Sequence, residues 1–116
     1  MIRRALLGAL LAALVVPAVH GGAHSDVKVP EGLRILVGFD KVVLLTTTWC
    51  GYCKSLKRDL EAAGVPYKEW DIEHSEVGRL ARSRLPGGRS IPVSIVGDAV
   101  YFGTSAKRVI AQAQKP

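Results

Sequence analysis

Two cysteines, Cys50 and Cys53, are the residues of this sequence most able to do chemistry, and the 116-residue chain has no others. A Cys-x-x-Cys pair can exchange disulfides, because one thiolate attacks a disulfide and the second thiol then resolves the mixed disulfide. The pair follows an apolar run and precedes a stretch of helix-forming residues. A helix N-terminus offers unpaired N–H groups and a partial positive charge, which favour a thiolate. The pattern predicts a redox pair, with an exposed, nucleophilic Cys50 at the N-cap and a more buried Cys53 one turn later.

Two other uses of such a pair are half of a zinc site and an inert structural disulfide. Zinc takes four ligands, and after residue 23 the chain offers only His24 and His74 as histidines. A bridge that closes so short a loop constrains the unfolded chain little, so it stabilises the fold little. Both alternatives are weaker than the redox interpretation, and we expect no metal site.

The residues around the pair predict alternating strands and helices. The run before Cys50 is β-branched and leucine-rich, which is typical of a strand buried on both faces. Gly64 ends the helix that follows, Ser75 caps the next helix, and Gly97-Asp98 is a two-residue hairpin turn. We expect an α/β domain over residues 41–116, with a central four-stranded mixed sheet flanked by helices. The predicted strands are 41–47, 65–72, 93–96 and 99–102, and the predicted helices are 51–63, 76–85 and 104–113.

The first 23 residues have the layout of a secretory signal peptide. Arg3 and Arg4 precede an apolar run over residues 5–16, and Pro17 and small residues follow. The small residues allow cleavage after residue 18 or, as we prefer, after residue 23. The apolar run is about a dozen residues long, whereas a membrane-spanning helix needs about 20. We therefore expect a periplasmic or secreted protein with no stable membrane insertion after cleavage, and a retained anchor is the weaker alternative.

Residues 24–40 are expected to form an N-terminal arm. The arm begins with polar residues and contains Pro30 and Gly32, which are typical of a linker. Residues 33–39 are apolar but few, and they fit either a short helix or an added strand.

Composition excludes several classes of protein. The chain is 48% hydrophobic and 22% charged, which is ordinary for a globular domain and excludes a disordered or collagen-like chain. The net charge is +6, but the basic residues are spread along the sequence. A nucleic-acid surface would need a basic stripe with exposed aromatic residues. We therefore expect most basic side chains to be solvated, and no nucleic-acid partner.

Ile91-Pro92 follows a glycine turn and opens an apolar strand. From these residues alone, a cis bond and an ordinary trans proline at a strand start are equally expected. A cis bond would turn the backbone N–H and C=O of Ile91 outward, where a substrate peptide could pair as an extra strand.

Residues 41–113 resemble the glutaredoxin family. The resemblance implies a thioredoxin fold, a nucleophilic Cys50, a resolving Cys53 and a cis Pro92. Residues 46–53 together with 71–74 resemble the mycoredoxin branch of the family. The matching pieces are Trp49-Cys50-Gly51-Tyr52-Cys53, Arg89-Ser90-Ile91-Pro92 and the glycines around residues 97–103.

The resemblance also implies a glutathione-like groove. One ligand carboxylate would lie at the start of the last helix, and Arg89 would pair with another. The sequence differs from many glutaredoxins, since no lysine lies near Thr47 and Gly51 replaces a proline. A protein thiol or another low-molecular-weight thiol therefore stays an alternative to glutathione. The implied groove residues are Trp49, Tyr52, Arg89, Ile91, Pro92, Thr104 and Ser105.

The predicted function is that of an exported thiol–disulfide oxidoreductase of the glutaredoxin type. We expect a monomer with no bound cofactor, which acts on disulfide-containing or glutathionylated proteins and is served by a thiol reductant. Two alternatives are a redox-inactive peptide-binding module of the same fold and an oxidase that introduces disulfides. The direction of exchange depends on the reduction potential, which residue types alone do not set.

Overall fold

The computed structural model describes residues 25–116, and the expected signal segment lies outside the described residues. The described chain alternates strands and helices in the predicted order. One strand before them is not predicted, and residues 33–37 form a short helix, which is one of the two structures expected for residues 33–39. The elements are β1 (Val27–Lys28), α1 (Leu33–Val37), β2 (Val42–Thr46), α2 (Gly51–Ala62), β3 (Lys68–Asp71), α3 (Glu76–Ser83), β4 (Val93–Val96), β5 (Ala99–Phe102) and α4 (Ala106–Ala113).

The sheet has five strands in the order β1-β5-β4-β2-β3. It is mixed, as predicted, because β2 and β3 run parallel and the other neighbours run antiparallel. All four predicted strands are present, and the sheet has a fifth strand that is not predicted. The additional strand, β1, has only two residues and pairs Val27 with Val100 on the outer side of β5. So short a strand has no period-two pattern that sequence reasoning can detect.

The segment expected to be an arm is part of the folded unit. Residues 33–37 form α1, and both Leu33 and Val37 are fully buried in the core. The indole N–H of Trp70 on β3 donates to the carbonyl of Val37 at 2.9 Å. Asp26, just before β1, accepts a hydrogen bond from the N–H of Phe102 and pairs with Arg108 of α4 at 2.8 Å. These contacts fix the N-terminal segment to both the sheet and the last helix.

Alternating side chains of β2 divide the core between the two faces of the sheet, since successive side chains of a strand point to opposite sides. Val43 and Leu45 pack with residues of α1 and α3 on one face. Val42 and Leu44 pack with residues of α2 and α4 on the other. Because β2 is fully enclosed, the loop that leaves its carboxyl end starts from a rigid position.

Strand register brings four loops to one end of the sheet. Thr46, the last residue of β2, lies opposite Asp71, the last residue of β3. Val93, the first residue of β4, lies opposite Phe102, the last residue of β5. The loop holding the cysteines, the turn after β3, the Ile91–Pro92 bond and the residues before α4 therefore share this end. Among residues 25–116, no helix has both the length and the apolar character needed to cross a membrane.

Candidate active site

Cys50 is the N-cap residue of α2, as predicted. Its sulfur accepts a hydrogen bond from the backbone N–H of Cys53 at 3.1 Å, which satisfies one unpaired donor of the helix start. Both cysteines are free thiols in this structure. The helix start thus holds the Cys50 sulfur against a backbone N–H, at the positive end of the helix dipole.

The expectation that Cys50 is exposed is wrong, because only 4% of the residue reaches solvent. Its sulfur turns inward to the Cys53 N–H instead of outward. The flanking aromatic residues do the opposite, since Trp49 is 66% exposed and Tyr52 is 71% exposed.

Cys53 is fully buried one helical turn after Cys50. Burial raises the pKa of its thiol well above the ordinary value, and the hydrogen bond to Cys50 raises it further. A backbone hydrogen bond from Thr47 and the positive charge of Lys57 act in the opposite direction. The two thiols therefore have different environments, and the neutral form is favoured at Cys53.

Trp49 is oriented by the turn that follows β3. Its indole N–H donates to a carboxylate oxygen of Glu73 at 2.9 Å. Asp71 fixes the turn, because its carboxylate accepts the N–H groups of Glu73 and His74 at 2.7 and 2.9 Å. Asp71, Glu73 and His74 place three possible metal ligands within 4.8 Å of one another, and no such group within residues 25–116 includes a cysteine. The hydrogen bonds of Asp71 and Glu73 explain why these residues lie together: they form the turn and orient Trp49.

The Ile91–Pro92 bond is cis, as predicted. Pro92 is buried and Ile91 is half-buried at the start of β4. The carbonyl of Pro92 accepts the N–H of Gly103 at 3.0 Å, which ties the proline to the segment before α4. Thr104 and Ser105 in that segment are exposed. Ser105 is the N-cap of α4, although its hydroxyl makes no capping bond within the described chain.

Arg89 is exposed and lines a cleft of about 360 Å³ beside α3. Two arginines of α3, Arg79 and Arg82, line the same cleft, so it carries three guanidinium groups. Arg79 is paired with Glu76 on its own helix. Within the described part of the chain, Arg89 is the one predicted groove residue that lines this cleft. Tyr52, Ile91, Thr104 and Ser105 lie outside it.

Arg82 is an exception to the expectation that most basic residues are solvated, because it is only 2% exposed. Its guanidinium donates to the carbonyls of Leu85, Pro86 and Ser90 at 2.8 to 3.3 Å, and to the Ser90 hydroxyl at 3.0 Å. Burial lowers its pKa. The buried arginine thereby holds the loop that leads into Ile91 and Pro92.

A spacing in the sequence could have identified Arg82 as inward-facing. Gly78, Ala81, Arg82 and Leu85 follow the i, i+3, i+4, i+7 pattern of a core-facing helix stripe. The structure buries all four of these residues. The position of Arg82 on the helix indicates that it is buried, whereas its charge alone suggests a solvated side chain.

Comparisons with known proteins agree on one family. The family profile described as Glutaredoxin matches residues 42–100. A Mycobacterium tuberculosis protein named as a glutaredoxin is 36% identical over 76 residues, which cover 64% of this chain and 90% of the relative. A glutaredoxin of Pseudomonas aeruginosa is 28% identical over 74 residues, which cover 64% and 88% of the two chains.

Solved structures agree on the fold. The glutaredoxin-like NrdH-redoxin of Escherichia coli matches with a TM-score of 0.55 and 24% identity, over 65% of this chain and 97% of the other. A buckwheat glutaredoxin in complex with glutathione matches with a TM-score of 0.57 and 20% identity, over 69% and 82% of the two chains. The described domain has the thioredoxin fold, with β1 as a fifth strand.

Proposed function

Because the chain is a thiol–disulfide oxidoreductase of the glutaredoxin family, we propose that it exchanges disulfides and mixed disulfides through Cys50 and Cys53. We also propose that this exchange takes place outside the cytoplasm. The observation that carries the proposal is the position of the Cys50 sulfur, which caps α2 and accepts the Cys53 N–H at 3.1 Å. A sulfur held in this way is a stabilised nucleophile.

The proposed exchange has two steps. The Cys50 thiolate attacks a substrate disulfide R–S–S–R′, which forms a Cys50–S–S–R bond and releases R′–S⁻. Cys53 then loses its proton and attacks the Cys50 sulfur, which forms the Cys50–Cys53 disulfide and releases R–S⁻. Both leaving thiolates take up protons, the substrate is reduced by two electrons, and the protein is oxidised by two. A thiol reductant then restores the dithiol.

We propose glutathione, free or joined to a protein, as the small thiol. One of its carboxylates would be met by the guanidinium of Arg89 in the cleft beside α3, and the other by the N-terminus of α4 at Ser105. The half-buried Ile91 lies between these two places along the chain, and its backbone would pair with the ligand's peptide groups. The buckwheat relative with glutathione supports this choice. We propose disulfide-containing and glutathionylated proteins as the partners of this chain.

Export rests on the sequence of residues 1–23. The charged start, the short apolar run and the small residues at its end support secretion to the periplasm or beyond. We propose that the working protein begins after residue 18 or residue 23.

The test is turnover of a glutathionylated peptide by the reduced protein with glutathione as reductant. Arg89→Met should raise KM about fivefold, since a partly solvated charge-assisted hydrogen bond contributes about 1 kcal/mol. The rate of reduction of a disulfide in a small protein should change little. Arg84→Met, an exposed arginine outside the cleft, serves as the charge-matched control. Absence of turnover in the unmodified protein would refute the proposed function, and an unchanged KM in Arg89→Met would remove Arg89 from the groove.

A further inference from the structure

The buried thiol of Cys53 needs a route by which its proton can leave. In the proposed exchange, Cys53 attacks only after it has lost this proton, yet the residue has no contact with solvent. This need follows from the proposed function, and the inference below rests on it. The groups that face Cys53 from neighbouring elements decide where the proton can go.

A lysine and a glutamate lie behind the cysteine pair. Lys57 is one turn after Cys53 on α2, and residues four apart on a helix lie on the same face. The Lys57 ammonium contacts the Glu69 carboxylate of β3 at 2.8 Å. The hydroxyl of Thr46 donates to the same Glu69 oxygen at 2.6 Å, which fixes the carboxylate at the end of β2.

A cleft of about 240 Å³ connects this pair to solvent, and Thr46, Thr47, Thr48, Lys57, Glu69 and Asp71 line it. The volume is enough for several water molecules at about 30 Å³ each. Lys57 and Glu69 are partly exposed, with 25% and 32% of their side chains reaching solvent. Protons can therefore pass between the pair and bulk water.

Thr47 lies between the cleft and Cys53. A backbone group of Thr47 lowers the pKa of the Cys53 thiol, and Thr47 is one of the residues that line the cleft. Its hydroxyl is buried and has no hydrogen-bond partner in the described part of the chain. A buried hydroxyl without a partner is costly, so it marks a place where a water molecule would bond. Thr47 thus offers the missing link between the sulfur and the pair.

We propose that Thr47, Lys57 and Glu69 form the proton outlet of Cys53 and set the rate of the second step of exchange. The S–H proton of Cys53 passes to water bonded at the Thr47 hydroxyl and on through cleft water to the Glu69 carboxylate. The Lys57 ammonium stabilises the sulfur anion as it forms the bond to Cys50. The released thiolate R–S⁻ takes up a proton from solvent, and Glu69 returns its proton through the cleft, so protons balance over the step.

The groups around Cys53 that carry charge or titrate come from two elements, α2 and β3. The start of α2 contributes Cys50, the next turn of α2 contributes Lys57, and β3 contributes Glu69 and Asp71. Asp71 is occupied by the N–H groups of the following turn. Glu69 is therefore the carboxylate placed to take the proton.

A single stopped-flow experiment separates the two steps. Reaction with 5,5′-dithiobis(2-nitrobenzoate) releases one coloured thiolate when Cys50 attacks, at a rate that rises with reagent concentration. A second coloured thiolate is released when Cys53 resolves the adduct, at a rate independent of reagent concentration. We expect Glu69→Gln to slow the second phase about 100-fold at neutral pH and leave the first unchanged, since general base catalysis contributes about that much. In this variant the second phase should rise tenfold per pH unit, as hydroxide takes the proton.

Thr47→Val and Lys57→Met provide two further variants, both expected to slow only the second phase. Arg58→Met removes an exposed positive charge beside Lys57 on the helix and should change neither phase. Thermal unfolding of each variant shows that it is folded. If Glu69→Gln and Lys57→Met leave the second phase unchanged, or slow both phases equally, the proton outlet is refuted. If the unmodified protein releases no coloured thiolate, the proposed function itself fails.

Discussion

Replacing Cys50 by serine is expected to abolish exchange with every disulfide, whereas replacing Cys53 by serine should leave a protein that stops at the mixed disulfide. Only Cys50 caps the helix, and a serine hydroxyl there cannot form the S–S bond of the first step. Cys53 is fully enclosed and acts only on a bond already made to Cys50. Loss of Cys50 should therefore remove activity below detection, a loss of about 1,000-fold or more.

Mass spectrometry after incubation with glutathione disulfide measures the difference directly. Cys53→Ser should carry one glutathione adduct, on Cys50, and the adduct should persist until another thiol is added. Cys50→Ser should carry none, and the double variant is the matched control for non-specific adducts. An adduct on Cys53 in the Cys50→Ser protein, or retained turnover, would reverse the assignment of the two thiols.

Gly78→Ala is expected to destabilise the fold by about 3 kcal/mol, through overpacking between α3 and the end of β3. An added Cβ would overlap the Asp71 carbonyl oxygen and lie 2.7 Å from the Asp71 carbonyl carbon. Both are backbone atoms, so relief requires that the helix move away from the strand. Asp71 also fixes the turn that orients Trp49, so the shift should weaken substrate engagement as well.

Urea unfolding measures the effect, with Gly51→Ala as the matched helix glycine. No described atom would lie within 4 Å of a Cβ at position 51, and alanine should stabilise this helix by about 0.5 kcal/mol. If Gly78→Ala unfolds at the same urea concentration as the unmodified protein, the close approach of α3 to Asp71 does not require a glycine for stability.

Sequence reasoning recovered the parts of the fold that long patterns encode. The apolar run of β2 and the helix stripe of α2 are continuous, and Gly97 marks the hairpin, so their positions follow from local residues. The two-residue strand β1 depends on the edge of β5 and on Asp26 bonding to Phe102, and these are contacts between distant parts of the chain. No local pattern specifies them.

The same limit applies to the site. The Cys-x-x-Cys spacing is enough to predict a helix-capping Cys50, because the N-cap is a local feature. The burial of Cys50 and Arg82, and the convergence of Lys57 and Glu69, depend on how α2, α3 and β3 pack. The sequence does not specify whether a charged residue is buried, so the positions of these residues are known only from the folded structure.

A redox titration tests the central claim, that Cys50 and Cys53 interconvert between a dithiol and a disulfide. The protein is equilibrated at a series of ratios of reduced to oxidised dithiothreitol and glutathione, and free thiols are then alkylated and counted by mass. We predict one cooperative transition in which both alkylation sites vanish together, with the two-electron slope of about 30 mV per tenfold change. Two thiols that stay open to alkylation at every potential would contradict the account, as would independent loss of one thiol.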